Sequence, residues 1–449
     1  MNSKHPLAAP IRVMIALFFV SAAASLPAAP ELTGQVTDAS GAALAGATVF
    51  VYTAGPKTGT SPFCPSCYPD CGKSAKSDAA GNFALAGLSS QLVFRLLVVA
   101  KGFAPRFVPG AEPGANRVEV ALQPRKNADA PPGQTVRGRV VDPQGAPILG
   151  AVVDVSGVAL DGGRQHFGGL QDIDPLAVTD ENGDFILTSG TPIVGMLGRL
   201  SARAFANQSV QLTTDKMHTL TMTEGATLSG RVTLAGKPVP NVSVGVSPQD
   251  RRAGYDVGTF EVGTEADGRF SFTNLPPRTD YHLFGKMETV GRHGALPARP
   301  VHVGRDRETT DIGDLAVQPA FRVGGRVRLE DGGSLPDKSR LLIGRDQTSD
   351  VLLVELGVNG EFDVQGIPPG IVTLSARVPG YKVSAKNQSY EAGNRRLVGR
   401  VEADTAGLEM LLDKRDPNEG PIFAASLPRP KAGERPQDRA LHGVEASAK

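Results

Sequence analysis

A repeated sequence pattern constrains the fold of this chain more than any other feature does. Each copy opens on a short strand-like segment that begins at a glycine: Gly34-Gln-Val-Thr-Asp38, Gly138-Arg-Val-Val-Asp142, Gly230-Arg-Val-Thr-Leu234 and Gly325-Arg-Val-Arg-Leu329. These openings lie 104, 92 and 95 residues apart. A period of that length gives each copy enough chain to fold around a hydrophobic core of its own.

A second motif, a turn that leads into another strand, recurs later in each copy. It reads SDAAGNFAL (77–85), TDENGDFIL (179–187), TEADGRFSF (264–272) and GVNGEFDV (357–364). The glycine accepts a positive φ and the aspartate bonds nearby amides, so the chain reverses there. We expect the phenylalanine that follows the turn to anchor the core in every copy: Phe83, Phe185, Phe270 and Phe362. Short strands in which apolar and polar residues alternate, separated by turns, predict an all-β fold of tandem antiparallel β-sandwiches.

The amino-acid composition bears on whether the chain binds nucleic acid or carbohydrate. With 47 basic and 46 acidic residues, the net charge of +1 provides no field to hold nucleic acid. Tryptophan is absent and aromatic residues make up 5%, which argues against sugar stacking. Carbohydrate binding stays an alternative through the tyrosines: Tyr52, Tyr68, Tyr255, Tyr281, Tyr381 and Tyr390.

The motifs resemble those of a known family. The pattern G-x-V-x-D-x-x-G-x-P-[LI]-x-G-A-x-V followed by T-D-x-x-G-x-F, best kept at 138–153 and 179–185, resembles the carboxypeptidase regulatory-like domain. The resemblance implies four copies of a small prealbumin-like, Ig-like β-sandwich, akin to starch-binding folds, that accompanies enzymes and does not cleave peptides. A zinc peptidase needs a second histidine beyond its H-x-x-E pair, and none follows His442-Gly-Val-Glu445. We therefore expect no enzyme activity and no cofactor.

The N-terminus predicts export. Lys4 and Arg12 precede the apolar run VMIALFFV (13–20), and small residues lead to Ala24, as in a cleaved signal peptide. The run is shorter than the ~20 residues that span a bilayer. We expect a secreted or periplasmic protein with no membrane span after cleavage. The predicted divisions are a signal peptide (1–24), β-sandwiches at 31–124, 134–223, 226–317 and 321–413 (the most divergent), and a disordered tail (414–449).

All three cysteines lie in the stretch CPSCYPDC, at Cys64, Cys67 and Cys71. The stretch falls between the second strand of the first copy and its turn at Ser77, so we expect a loop outside the core. One interpretation is a disulfide with a spare thiol, which could join a second chain as a covalent dimer. Others are a metal site of three thiolates with Asp70, or a redox-active C-x-x-C. The pairing stays open.

An acidic cluster in the second copy also allows two interpretations. QDIDPLAVTDENGD carries Asp172, Asp174, Asp180 and Asp184. Carboxylates in hairpin turns commonly accept local hydrogen bonds, and oxygen-rich turns can also bind calcium. The first interpretation is favoured.

The repeats together predict a non-catalytic interaction or structural module with a protein or cell-envelope partner. A string of such sandwiches would form a semi-rigid rod with its loops free to bind. Alternatives are carbohydrate binding, and thiol redox or metal-dependent activity centred on residues 64–71.

Overall fold

A computed structural model describes residues 31–168, 171–250, 258–346, 348–416, 418 and 440–443. These residues form eight β-sheets, two for each copy of the sequence repeat. The all-β fold of tandem sandwiches is therefore confirmed. The predicted signal peptide lies outside the described residues, as does most of the predicted tail. No described helix has the length and hydropathy needed to cross a membrane.

The first two sandwiches contain fifteen strands. The first has β1 (Leu32–Asp38), β2 (Thr48–Pro56), β3 (Ser74–Lys76), β4 (Asn82–Leu85), β5 (Leu92–Val99), β6 (Arg106–Ala111) and β7 (Val118–Leu122). The second has β8 (Thr135–Val141), β9 (Val152–Ala159), β10 (Gln165–Phe167), β11 (Leu176–Val178), β12 (Asp184–Thr188), β13 (Gly195–Ser201), β14 (Gln208–Thr213) and β15 (Met217–Thr221). Short 3-10 turns lie at Pro132–Gln134 and Asp161–Gly163.

The third and fourth sandwiches follow the same plan. The third has β16 (Ala226–Leu234), β17 (Lys237–Pro238), β18 (Ser243–Pro248), β19 (Phe260–Gly263), β20 (Arg269–Leu275), β21 (Asp280–Gly285), a one-turn helix (Met287–Val290), β22 (Arg299–His302) and β23 (Thr309–Ala316). The fourth has β24 (Phe321–Leu329), β25 (Arg340–Arg345), β26 (Val351–Glu355), β27 (Glu361–Ile367), β28 (Gly370–Arg377), β29 (Tyr381–Val383), β30 (Tyr390–Glu391), β31 (Arg396–Val401) and β32 (Thr405–Lys414).

The opening strand of each copy is the centre of one sheet. In the first sandwich β1 pairs antiparallel with β4 and parallel with β7, and β8, β16 and β24 make the corresponding pairs. The sandwiches are thus antiparallel except for one parallel pair each. That pair is parallel because the chain crosses to the second sheet and returns to the first sheet before the last strand of the copy.

The two sequence motifs meet in this sheet. The opening glycine lies directly opposite the phenylalanine of the turn motif in every copy: Gly34 and Phe83, Gly138 and Phe185, Gly230 and Phe270, Gly325 and Phe362. All four phenylalanines are buried, as the sequence predicts. A Cβ atom added at Gly138 would lie 2.6 Å from the Phe185 ring. The glycine therefore leaves the space that the ring fills.

Contacts between sandwiches extend beyond neighbours in sequence. The amide of Gly263, in the third sandwich, donates a hydrogen bond to the carbonyl oxygen of Ser61 in the first, at 2.5 Å. Tyr52 and Ser201 join the first sandwich to the second through their hydroxyls, 2.8 Å apart. A straight rod, in which each sandwich touches only its neighbours in sequence, does not have the contact between first and third. The expectation of a rod is therefore replaced by a folded-back arrangement.

Residues 440–443 of the predicted tail pack against the fourth sandwich. Ala440 forms a parallel bridge with Arg400 of β31, and Leu441 is 3% exposed within the core cluster of that sandwich. The sequence predicts disorder here because charged and small residues dominate the tail. An isolated leucine nevertheless reaches a buried position.

Candidate functional site: the disulfide loop

The cysteine stretch lies in a long excursion between β2 and β3, which we call the disulfide loop (residues 57–73). Its ends rejoin the sheet through backbone hydrogen bonds, in which Gly72 donates to the Val51 carbonyl and Val51 to that of Lys73. Halfway along, the Ala54 amide donates to the Pro65 carbonyl at 2.8 Å. The loop is thus fastened back onto β2.

Cys64 and Cys67 form a disulfide, with their Cα atoms 5.1 Å apart. The Cys67 amide donates to the Cys64 carbonyl at 2.9 Å, which closes a tight turn around the bond. Such a separation of Cα atoms is within the usual range for a disulfide. The spare thiol is that of Cys71.

Cys71 and Tyr68 belong to the core of the first sandwich, where they are 1% and 5% exposed. The expectation that the whole stretch lies outside the core was therefore wrong for these two residues. The physical reason is spacing, because two apolar side chains three positions apart in a turn can point to the same side. The Tyr68 hydroxyl also lies 2.6 Å from that of Ser61, and its ring meets Phe63 edge-on at 5.2 Å.

A buried carboxylate fixes the far end of the loop. Asp70 accepts hydrogen bonds from the Lys73 ammonium at 2.5 Å and from the Ser89 amide at 3.0 Å. Burial alone would raise the pKa of Asp70, but these two donors outweigh it and hold the pKa below 3.8. Because the pKa of Asp70 is lower in the folded chain than in the unfolded chain, its two hydrogen bonds stabilise the fold above pH 3.8. That stabilisation is lost as the pH falls below 3.8.

The near end of the loop contacts the third sandwich. The Thr273 hydroxyl lies 3.2 Å from Cys67 Sγ and is the donor of that pair, since a disulfide sulfur carries no proton. Thr60 packs so closely on Gly263 that a Cβ atom at Gly263 would lie 2.6 Å from the Thr60 Cβ. The loop therefore covers the edge strand β19 at Gly263, whose amide would otherwise be unpaired.

This geometry bears on each interpretation of the cysteines. A metal site of three thiolates is incompatible with the disulfide, since two of the sulfurs are bonded to each other. No group of three or more potential metal ligands occurs among the described residues. Cys64 starts a turn, whereas the low-pKa thiol of a redox C-x-x-C usually starts a helix. A covalent dimer through Cys71 would require the loop to open, because that thiol is buried.

The acidic cluster of the second sandwich is occupied by protein partners. Asp174 accepts hydrogen bonds from Arg125 at 2.7 Å and from the Thr188 amide at 2.8 Å. Asp180 accepts from the amides within its own turn, and Asp184 pairs with Arg139 at 2.7 Å. The carboxylates thus act as turn and linker anchors, which agrees with the favoured interpretation.

The tyrosines that would stack on sugars are largely withdrawn from solvent. Tyr68 and Tyr281 are buried, and Tyr52 has a pKa raised by burial. Tyr381 donates to Asp331 at 2.8 Å, Tyr390 packs on the fourth core, and Tyr255 lies outside the described residues. None of the described tyrosines is an open platform.

The Cys71 thiol should react slowly in the folded protein. Burial raises its pKa to about 11 from 9.0, so almost no thiolate is present at pH 8. Iodoacetamide at pH 8 should label no cysteine in the native protein, one after unfolding and three after reduction. Because the folded pKa is raised, stability should fall as the pH rises from 9 towards 11. In Cys71→Ala, the free energy of unfolding should not show the part of this decrease that comes from the thiol. Rapid labelling of the Cys71 thiol in the native protein would contradict the prediction.

Removing the disulfide with Cys64→Ser and Cys67→Ser should lower the free energy of unfolding by about 2 kcal/mol, the loop-closure entropy of so short a ring. The Gly263 amide should also exchange its hydrogen faster, because its acceptor on Ser61 lies in the same loop. Urea unfolding and hydrogen exchange measure the two effects. Unchanged exchange at Gly263 would show that the loop holds the third sandwich without the disulfide.

The sequence of the first sandwich matches a known protein family. Residues 31–123 match the family model of the carboxypeptidase regulatory-like domain. The resemblance drawn from the motifs is thereby confirmed for that sandwich, and the other three share its strand pairing. No curated protein matches the chain.

Similar solved structures have low identities. The minor pilin GBS52 of Streptococcus agalactiae is 14% identical with a TM-score of 0.23, over 44% of this chain and 99% of that chain. The Bacillus anthracis TIE protein is 11% identical with a TM-score of 0.18, over 86% and 73%. BcpA, the major pilin subunit of Bacillus cereus, is 9% identical with a TM-score of 0.17, over 64% and 99%.

Proposed function

We propose that this chain is an exported, non-catalytic protein that serves as an interaction or structural module outside the cytoplasm, with a protein or cell-envelope partner. The observation that carries the proposal is the disulfide loop, which closes with a disulfide and fastens the first sandwich to the third. Disulfides persist in exported proteins and are reduced in most cytoplasms. A static role for the disulfide fits a scaffold better than an exchange reaction.

The joints between sandwiches support a structural role. Besides the disulfide loop, Arg345 of the fourth sandwich donates to the Gly285 and Leu296 carbonyls of the third, at 3.0 and 3.2 Å. Asp350 accepts the Met287 amide at 3.1 Å. Such buried polar contacts fix the orientation of neighbouring domains. We propose that the divisions 31–124, 134–223, 226–317 and 321–413 are four domains held in a defined arrangement.

Cell fractionation with thiol trapping tests the export and the redox state together. Cells are quenched in acid, free thiols are alkylated, and the intact mass of the chain is measured in each fraction. We expect a mature chain that begins at Ser25, outside the cytoplasm, with Cys71 alone alkylated after denaturation. A full-length cytoplasmic chain with three alkylated cysteines would overturn the proposal.

A thiol oxidoreductase is the competing function, because Cys64 and Cys67 are a half-buried C-x-x-C disulfide. Reduction of insulin by the purified chain, with dithiothreitol as electron donor, separates the two functions. We expect no turnover above the uncatalysed rate, for the unmodified chain and for Cys67→Ser alike. Turnover that Cys67→Ser abolishes would replace the proposed scaffold with a redox enzyme.

A further inference from the structure

The segment Ala440–Gly443 lies at an incompletely covered edge of the fourth sandwich. Strand β30 pairs with β31 only at Arg396 and Leu397, and Ala440 takes up the pairing at Arg400. The segment fills a groove formed by β31, β32 and the residues Gln388 and Ser389, which we call the cleft. It therefore occupies a strand position that the sheet itself leaves open.

Backbone hydrogen bonds hold the segment from two sides. The Leu441 amide donates to the Arg400 carbonyl at 3.3 Å. From the other side, the amides of Ser389 and Gln388 donate to the carbonyls of His442 and Gly443, at 3.2 and 3.1 Å. The Ser389 hydroxyl accepts the His442 amide at 2.8 Å. This is the pattern of an extended peptide added to a sheet edge.

Side chains give the site a sequence preference. Leu441 is buried in the core cluster of the fourth sandwich, whereas His442 is exposed. Two glycines allow the backbones to approach. A Cβ atom at Gly399 would lie 2.6 Å from the Leu441 Cα, and one at Gly443 would overlap the Glu409 carbonyl. The cleft thus holds a buried leucine and, two residues later, a glycine with no room for a side chain, with an exposed residue between them.

We propose that this cleft is a peptide-binding site for an extended segment of the form Leu-x-Gly, and that residues 440–443 of the chain are its exchangeable occupant. Leu441 is the one side chain of the segment that is buried in the core, and the other contacts are hydrogen bonds and close backbone packing at Gly399 and Gly443. Because only 23 residues separate Ala440 from Asp416 in the sequence, the covalently attached segment is present at a high local concentration.

The test uses the full chain with Leu441→Asp, which empties the site because a carboxylate cannot replace the leucine in the core. A fluorescent peptide of residues 438–445 is titrated into this variant and into the unmodified chain. We expect saturable binding to the variant, at least tenfold tighter than to the unmodified chain. The peptide with alanine at His442 should bind equally well. Peptides with Leu441→Asp or Gly443→Ala should bind at least tenfold more weakly, as should the variant that also carries Gly399→Ala.

Failure of any central expectation overturns the proposal. If the native peptide and its Leu441→Asp form bind alike, the site is not selective. If the emptied variant stays folded, by hydrogen exchange of β31 and β32, and binds no peptide, the cleft is not a binding site. Should Leu441→Asp unfold the fourth sandwich, Gly443→Ala is used to empty the cleft. Unfolding in both variants would make the segment an integral strand and not an exchangeable ligand.

Discussion

Replacing Met287 with alanine should lower the free energy of unfolding of the fourth sandwich by about 3 kcal/mol, although Met287 belongs to the third. Its side chain is 5% exposed and packs in the core cluster of the fourth sandwich, which also contains Val323 and Ile367. Truncation to alanine leaves a cavity that the fixed surroundings can fill only in part. The expected loss follows from the cavity and from the lost burial.

The one-turn helix that carries Met287 is clamped between the two sandwiches. Asp350 of the fourth sandwich accepts the Met287 amide, and Arg345 reaches the Gly285 carbonyl just before the helix. Burial raises the pKa of Asp350 and lowers the pKa of Arg345, because each ion has lost its hydration. Arg345 and Asp350 form an ion pair with a nitrogen-to-oxygen distance of 3.4 Å. This buried pair orients the joint more than it adds to stability, and the apolar contact of Met287 supplies the stabilisation.

The same helix provides a matched control. Val290, one turn later, is 1% exposed and packs in the core of the third sandwich. Val290→Ala should lower the unfolding free energy of the third sandwich by about 2 kcal/mol, from the burial of two methyl groups. Differential scanning calorimetry, with hydrogen exchange to assign each transition, separates the two variants. If Met287→Ala shifted the third sandwich alone, the coupling between the two cores would be absent.

The sequence predicts the strands well because their signals are local. The alternation at Ala47, Val49 and Val51 and the recurring turn glycines are enough to predict β2 and the turns into β4, β12, β20 and β27. Pairing is not local. Gly138 and Phe185 face each other across 47 residues of sequence, and nothing in either motif alone indicates the other as its partner.

The disulfide loop shows the same limit at the functional site. Cys64 and Cys67 are three residues apart, so a bond between them could be considered from spacing alone. The contact of Cys67 with Thr273 spans 206 residues and depends on how whole sandwiches dock. A signal for the burial of Cys71 was present, since Tyr68 and Cys71 are apolar residues at turn spacing. Leu441 was likewise an apolar residue isolated among polar ones.

Replacing Phe185 with alanine should lower the free energy of unfolding of the second sandwich by about 4 kcal/mol. The side chain is 3% exposed, and its ring covers Gly138 on the central strand β8. A sheet in which glycine faces an aromatic ring relies on that ring to shield the bare backbone. Its loss therefore removes core packing and exposes the hydrogen bonds of β8 to water.

The neighbouring residue on β12 is a control for the strand itself. Ile186 points to the opposite face and is 42% exposed, so Ile186→Ala should change the free energy of unfolding by less than about 0.5 kcal/mol. Urea unfolding of both variants, followed by a probe of the second sandwich, compares them directly. Equal losses would show that β12 stabilises the sandwich through strand propensity and not through the ring.

A double-mutant cycle tests the glycine and phenylalanine as one unit. Gly138→Ala alone should destabilise the protein by about 2 kcal/mol, because the added methyl group meets the Phe185 ring at 2.6 Å. In the Phe185→Ala background the ring is gone, so the same methyl group should cost much less. The interaction free energy between the two positions should then amount to about 1 kcal/mol or more. If the effects of the two substitutions on the free energy of unfolding were strictly additive, the clash would be relieved at another contact. One such contact is the His218 carbonyl of β15, which lies 3.1 Å from the same Cβ position.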